Sequence, residues 1–164
     1  MADKVPSAVE GYDRIKSSLV DGSAMDKFKQ MIKIQGVSEE VATKLCRKSK
    51  NFYEVLPLSP HKTELKVAIT GLLSSIDSLC CAEVTSALGA GRARPGDAVA
   101  HDVGMVLNFR IGELVKAGDI WVTVYHKNQK MEAELEERLV KAIVVDASVG
   151  SARSIQSRVI HIVR

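Results

Sequence analysis

The sequence predicts an α+β fold, with an N-terminal helical segment followed by a β-rich domain. Three observations carry this. Apolar residues recur at helical spacing up to about residue 46, beginning with Ala8, Tyr12, Ile15 and Leu19 on one face. Beyond residue 63 the period becomes two, in Leu65, Val67 and Ile69 and again in Met105, Leu107, Phe109 and Ile111. Between the two patterns lies a polar stretch punctuated by Pro57 and Pro60. The expected organisation is a helical segment over residues 1–48, a linker over 49–61 and a C-terminal domain over 62–164.

The first helix is expected to start at Ser7, because a serine followed three residues later by Glu10 forms a capping box. Asp21-Gly22 breaks it. A second helix starts at residues 23–26, carries Met25, Phe28, Met31 and Ile32, and ends at Gly36, which suits a left-handed terminus. A third begins at Ser38. Glu39 and Glu40 sit at the positive end of its dipole, and Lys44, Arg47 and Lys48 at the negative end.

Strands are expected over residues 64–70 and 72–76. Asp77 or Ser78 then caps a helix through Leu79, Val84 and Leu88 that ends at Gly89. Residues 89–97 read as a loop, 105–111 as a strand, 112–119 as a turn-rich connection and 120–125 as the next strand. A charged amphipathic helix is expected over about 128–140, with Met131, Leu135 and Leu139 facing inward. Two β-branched strands, 142–145 and 159–163, complete the chain.

At 46% hydrophobic and 26% charged residues, the composition is that of an ordinary globular domain. Aromatics at 4% leave little to stack single-stranded bases on, and the net charge of +3 is interspersed, so no nucleic-acid partner is expected. No run approaches the roughly 18 apolar residues of a membrane span, so no membrane partner is expected either. Cys46, Cys80 and Cys81 form no disulfide framework, and no secretory signal is read after Met1. A reducing, cytoplasmic setting is the expectation.

Gly89-Ala90-Gly91 allows backbone amides to approach an anion, with Arg92 and Arg94 beside it. It follows a helix, however, whereas a dinucleotide fingerprint follows a strand and opens a helix. A helix end running into a flexible loop is the competing reading. His61, His101, His126 and His161 show no metal-ligand spacing; His101-Asp102 could be half of a base–orienter pair, but adjacent residues rarely point at one another, and a loop histidine is the competing reading. Cys80 and Cys81 point in different directions on a helix, and Trp121 reads as core or contact surface.

Residues 104–127, with Gly112 and Val115-Lys116-Ala117-Gly118-Asp119 between two strands, resemble the half-motif of biotinyl and lipoyl domains. That resemblance implies an α/β-hammerhead, barrel-sandwich hybrid-like domain. As a carrier it would bear its cofactor on a hairpin lysine, for which Lys127 is the candidate, although it sits in His-Lys-Asn and leads into a helix.

A longer pattern resembles the C-terminal portion of the thymidine and pyrimidine-nucleoside phosphorylase family. It comprises Asp21-Gly22-Ser23-Ala24 with Phe28, Met31, Gln35 and Gly36, then Leu88 through Asp97, then Asp102-Val103-Gly104, Gly112, residues 115–119, and Val124-Tyr125-His126. The family reversibly phosphorolyses pyrimidine nucleosides to base and pentose 1-phosphate, with phosphate as co-substrate and no cofactor.

The resemblance implies a structural, accessory role beside catalytic domains that this chain lacks, a homodimer only in the full-length context, and no phosphorolysis by this chain alone. No catalytic, cofactor-binding or metal residue is carried over. Gly89, Gly91, Arg92 and Arg94 are placed near an interdomain cleft as possible anion contacts. The helices of residues 7–46 are expected to expose apolar residues and to be more labile than the β region. A carrier domain and a stand-alone protein-binding module remain the alternative functions.

Overall fold

The computed structural model describes residues 5–47, 52–92 and 94–150. The described residues form a mixed α/β arrangement of five α-helices and two small antiparallel sheets. The chain divides into two compact units, Met1–Leu56 and Pro57–Arg164.

The first unit holds α1 (Ala8–Val20), α2 (Ser23–Ile34) and α3 (Glu39–Leu45), followed by a short 3₁₀ turn, Phe52–Glu54. The expected caps form. The Ser7 hydroxyl oxygen accepts the Glu10 amide and its O–H donates to the Glu10 carboxylate. Ser38 accepts the Val41 amide in the same way. Gly22 takes a left-handed φ of 86° at the start of α2, and the Asp21 carboxylate accepts the Ser23 amide.

Gly36 closes α2 with φ 99°. Its amide donates to Lys33 O at 3.0 Å and the Val37 amide to Ile32 O at 3.0 Å, the paired bonds of a Schellman end. Burial in this unit is sparse. Ile32 and Ala42 are buried, while no residue of α1 is.

The second unit places β1 (His61–Lys66), β2 (Gly71–Ile76), α4 (Ser78–Thr85), β3 (Gly104–Leu107), β4 (Leu114–Val115), β5 (Ile120–His126), α5 (Ala133–Val140) and β6 (Ile143–Asp146) in chain order. One sheet has the order β1-β5-β3 and the other β4-β2-β6. The core draws on both sheets and both helices. It includes Leu73, Val84, Trp121, Val122, Val124, Met131 and Leu139, all within about 2% of complete burial. Each contributes roughly 1.5–3 kcal/mol by leaving water. The Trp121 indole N–H is buried with no hydrogen-bond partner among the described residues.

Several expected boundaries move. The first strand was expected over residues 64–70 but is His61–Lys66. It pairs with β5 from His61↔His126 to Lys66↔Ile120 and bulges after Leu65. Leu65 and Val67 are buried as the alternation requires, but Ile69 is 49% exposed. The chain turns there because Val67 is bonded to the 118–119 turn and the Thr70 hydroxyl accepts the Ala117 amide.

The strand expected over 105–111 stops at Leu107, where both the backbone and side-chain N–H groups of Asn108 bind the start of β5. Leu114–Val115, expected as connection, forms β4 against β2. The helix expected from residue 128 starts at Ala133, because Asn128 O is bonded to the His126 ring and holds a turn. Met131 is buried nonetheless. The expected strand over 159–163 lies outside the described residues.

Three turns share one construction. In Arg94-Pro95-Gly96-Asp97, Arg110-Ile111-Gly112-Glu113 and Lys116-Ala117-Gly118-Asp119, the third residue is a glycine with φ of 93–94°. The acidic residue's amide donates back to the basic residue's carbonyl at 3.0–3.2 Å. Its carboxylate in turn accepts the basic residue's amide at 2.7–2.8 Å. Each turn is therefore closed twice, with its basic side chain left outside the ring of bonds.

Candidate functional site

The loop singled out by sequence begins where α4 widens into a five-residue turn, Ser86–Ala90. Gly89 has φ 107°, which an L side chain rarely adopts, and its carbonyl accepts the Ala100 amide at 2.8 Å. Gly91 passes close against Ser86. A Cβ on Gly91 would stand 2.2 Å from Ser86 Oγ, so a side chain there displaces the turn. The doubly closed turn at Arg94–Asp97 follows.

The structure thus brings Gly89 and Gly91 together as a backbone device. Arg92 and Arg94 are both exposed, and neither guanidinium is paired with a carboxylate among the described residues. Chemically, the loop offers two solvated guanidinium groups on a shaped backbone. Such groups attract an anion electrostatically.

The other sequence candidates separate. The Asp102 carboxylate does not orient His101. It accepts the Ser59 hydroxyl at 2.9 Å and pairs with the Lys127 ammonium at 3.5 Å. The Ser59 hydrogen bond, then a backbone hydrogen bond and the Lys127 charge, hold the Asp102 carboxyl below its ordinary value against the opposing effect of burial. The Lys127 side chain is 59% exposed beside this pair.

His126 is buried, with Nε2 2.8 Å from the Thr63 hydroxyl and Nδ1 2.8 Å from Asn128 O. Because a carbonyl only accepts, Nδ1 carries the proton. His61 stacks on it across the strand pair, ring centroids 6.4 Å apart. Cys81 is buried, and burial pushes its thiol up. Cys80 is half-buried, with its sulfur 3.5 Å from Arg138 O.

Among the described residues, no three His, Cys, Asp or Glu side chains are grouped to hold a metal ion. No described helix is long and apolar enough to cross a membrane. The Ser59–Asp102–Lys127 node escaped sequence reasoning, since residues 43 apart share no local pattern.

The fold that carries this loop is a mixed α/β arrangement of helices and two small antiparallel sheets. Comparison with known proteins shows what the chain is similar to. Residues 72–146, running from β2 to β6, match the family model of the pyrimidine nucleoside phosphorylase C-terminal domain. Human thymidine phosphorylase is 30% identical over 137 residues, covering 83% of this chain and 28% of that protein. Pyrimidine-nucleoside phosphorylase of Geobacillus stearothermophilus is 27% identical over 148 residues, covering 90% and 32%. That of Staphylococcus aureus is 28% identical over 161 residues, covering 98% and 35%.

The chain thus matches the C-terminal portion of thymidine and pyrimidine-nucleoside phosphorylases. It spans about a third of the length of these curated relatives.

Proposed function

We propose that this chain is the C-terminal structural domain of a pyrimidine-nucleoside phosphorylase and has no phosphorolytic activity by itself. The observation that supports this is the family match across β2 to β6, which contains the 89–97 loop. Within that reading, residues 1–48 are a helical segment, 49–61 a linker and 62–164 an α/β-hammerhead domain working in the cytoplasm. Its partner is the catalytic portion of a phosphorylase, and the loop with Arg92 and Arg94 faces the cleft between them.

Chemistry supports the division of labour. Phosphorolysis brings an attacking phosphate dianion to the anomeric carbon, which requires several fixed donors in a site closed to water. Two exposed arginines on a loop supply charge without that enclosure. The chain's role is to pack beside the catalytic portion and to support its closure.

Two measurements test the proposal. The purified chain is expected to convert thymidine and phosphate no faster than a heat-killed control, and turnover above that control overturns the claim of inactivity. An immobilised chain is expected to retain a phosphorylase catalytic portion that lacks its own C-terminal third. Failure to retain it removes the partner assignment.

A further inference from the structure

Asp21-Gly22 is the chain's one Asp-Gly pair, and the sequence holds no Asn-Gly. It joins α1 to α2, with Asp21 closing the first helix and Gly22 opening the second. Here alone the amide that follows an aspartate belongs to a residue without a Cβ, so no side chain shields that nitrogen from the neighbouring carboxyl. We propose that Asp21 is a site of spontaneous backbone isomerisation, reached when the joint between α1 and α2 opens.

The reaction needs no reagent but water. The Gly22 nitrogen attacks Asp21 Cγ, a C–N bond forms, and the amide proton leaves with the carboxyl hydroxyl as water. The product is a five-membered ring. Water then adds to one of its two carbonyls. Breaking the new bond restores aspartate. Breaking the original peptide bond leaves the chain running through Cγ, with the former backbone carbonyl of Asp21 as the free carboxylate. Mass and charge are unchanged, and the joint is longer by one methylene.

The closed joint resists the first step in two ways. At Asp21 ψ is −11°, so the Gly22 nitrogen nearly eclipses the Asp21 nitrogen, whereas ring closure needs it to eclipse Cβ. The Asp21 carboxylate also accepts the Ser23 amide at 2.8 Å. That bond lowers its pKa and favours the ionised form, the poorer electrophile.

Little holds the joint shut. Asp21 is exposed, its bond to Ser23 is exposed, and no residue of α1 is buried. A segment of this kind opens at low free energy. After isomerisation the carboxylate that accepted the Ser23 amide has become backbone, so the joint does not re-form as it was. This inference does not depend on the phosphorylase partnership.

The test holds the full chain in neutral buffer for weeks and digests it with trypsin. Peptide 17–27 contains both Asp21 and Asp26. It is expected to yield a second form of equal mass, with electron-transfer fragmentation placing the β-linkage at Asp21 and none at Asp26, inside α2. The rate is expected to be several-fold below that of the synthetic peptide 17–27. Ser23→Pro deletes the amide donor at a helix position that accepts proline, and is expected to raise the rate several-fold. Urea below the unfolding midpoint makes the same test without a substitution and is expected to raise the rate as well. Asp21→Glu is expected to abolish the reaction, because its ring would be larger by one atom. No isomer at Asp21 in the folded chain overturns the proposal, as does equal isomerisation at Asp26. A folded chain as fast as the free peptide, or a rate indifferent to urea, overturns the control by joint opening.

Discussion

Ser59 and Asp102 are 43 residues apart and joined twice. The Ser59 amide donates to Asp102 O at 2.8 Å and the Ser59 hydroxyl to the Asp102 carboxylate at 2.9 Å. The stretch entering β1 is thereby fastened to the stretch entering β3, at one end of the sheet whose central strand is β5.

Removing the hydroxyl leaves the backbone bond and deletes the other. Ser59 is 5% exposed, so Ser59→Ala is expected to cost about 1 kcal/mol in urea unfolding at neutral pH. Asp102 adds a pH dependence. Its folded pKa is lowered, so its contribution is present above the ordinary carboxylate range and is lost as pH falls through the folded value. Asp102→Asn is expected to flatten that part of the stability–pH curve, and an unchanged acid limb refutes the assignment.

Glu39 makes the same argument in the helical unit. It accepts from Lys29 at 2.7 Å and pairs with Lys33, joining α3 to α2. The Lys29 and then Lys33 hydrogen bonds lower its pKa from 4.5 to about 2. The stabilisation it brings is complete above the unfolded value of 4.5 and disappears as pH falls towards 2. A carboxyl titration by NMR is expected to place Glu39 near 2 at low ionic strength, moving up in concentrated salt. A midpoint near 4.5 in dilute buffer defeats the prediction.

The glycines separate into two kinds. At Gly118, φ is 93° and nothing lies within 4 Å of an added Cβ, so alanine brings backbone strain alone, about 1–2 kcal/mol. Asparagine, which tolerates this region, is expected to cost less. At Gly71 an added Cβ would stand 2.4 Å from Asp146 O in the facing strand β6. Gly71→Ala is therefore expected to destabilise the chain more than Gly118→Ala, by forcing β2 and β6 apart. Equal melting temperatures for the two variants contradict this.

Leu139 is fully buried on α5 against both sheets' core, so Leu139→Ala is expected to cost about 3 kcal/mol through lost burial and residual cavity. Leu79, 67% exposed on α4, is the control, with an expected change under about 0.5 kcal/mol. Denaturant midpoints for the two single variants make the comparison.

These particulars show what the sequence made legible. Helix ends were readable at Ser7, Ser38 and Gly36 because a cap is decided within four or five residues. Strand limits were not. His61-Lys62-Thr63 carries no apolar alternation, and it is a strand because β5 lies beside it. Leu114–Val115 is too short to show a period and is likewise defined by its partner β2. At the candidate loop, the turning role of Gly89 was readable from its position after a helix. The closeness of Gly91 to Ser86 was not, since it depends on the widened end of α4. Asp102 was read beside His101, its sequence neighbour, but its carboxylate turns to Ser59 and Lys127 instead.

The burial of Trp121 has an optical consequence. It is the chain's single tryptophan and lies in the second unit, 1% exposed. Emission excited on the red edge of the absorption band, where tyrosine is dark, follows the melting of β5 and its surroundings alone. Circular dichroism in the far ultraviolet records α1, α2 and α3 as well. If the helical unit loosens first, the dichroic signal falls while the indole still emits in the blue, and one molecule yields two melting curves with different midpoints.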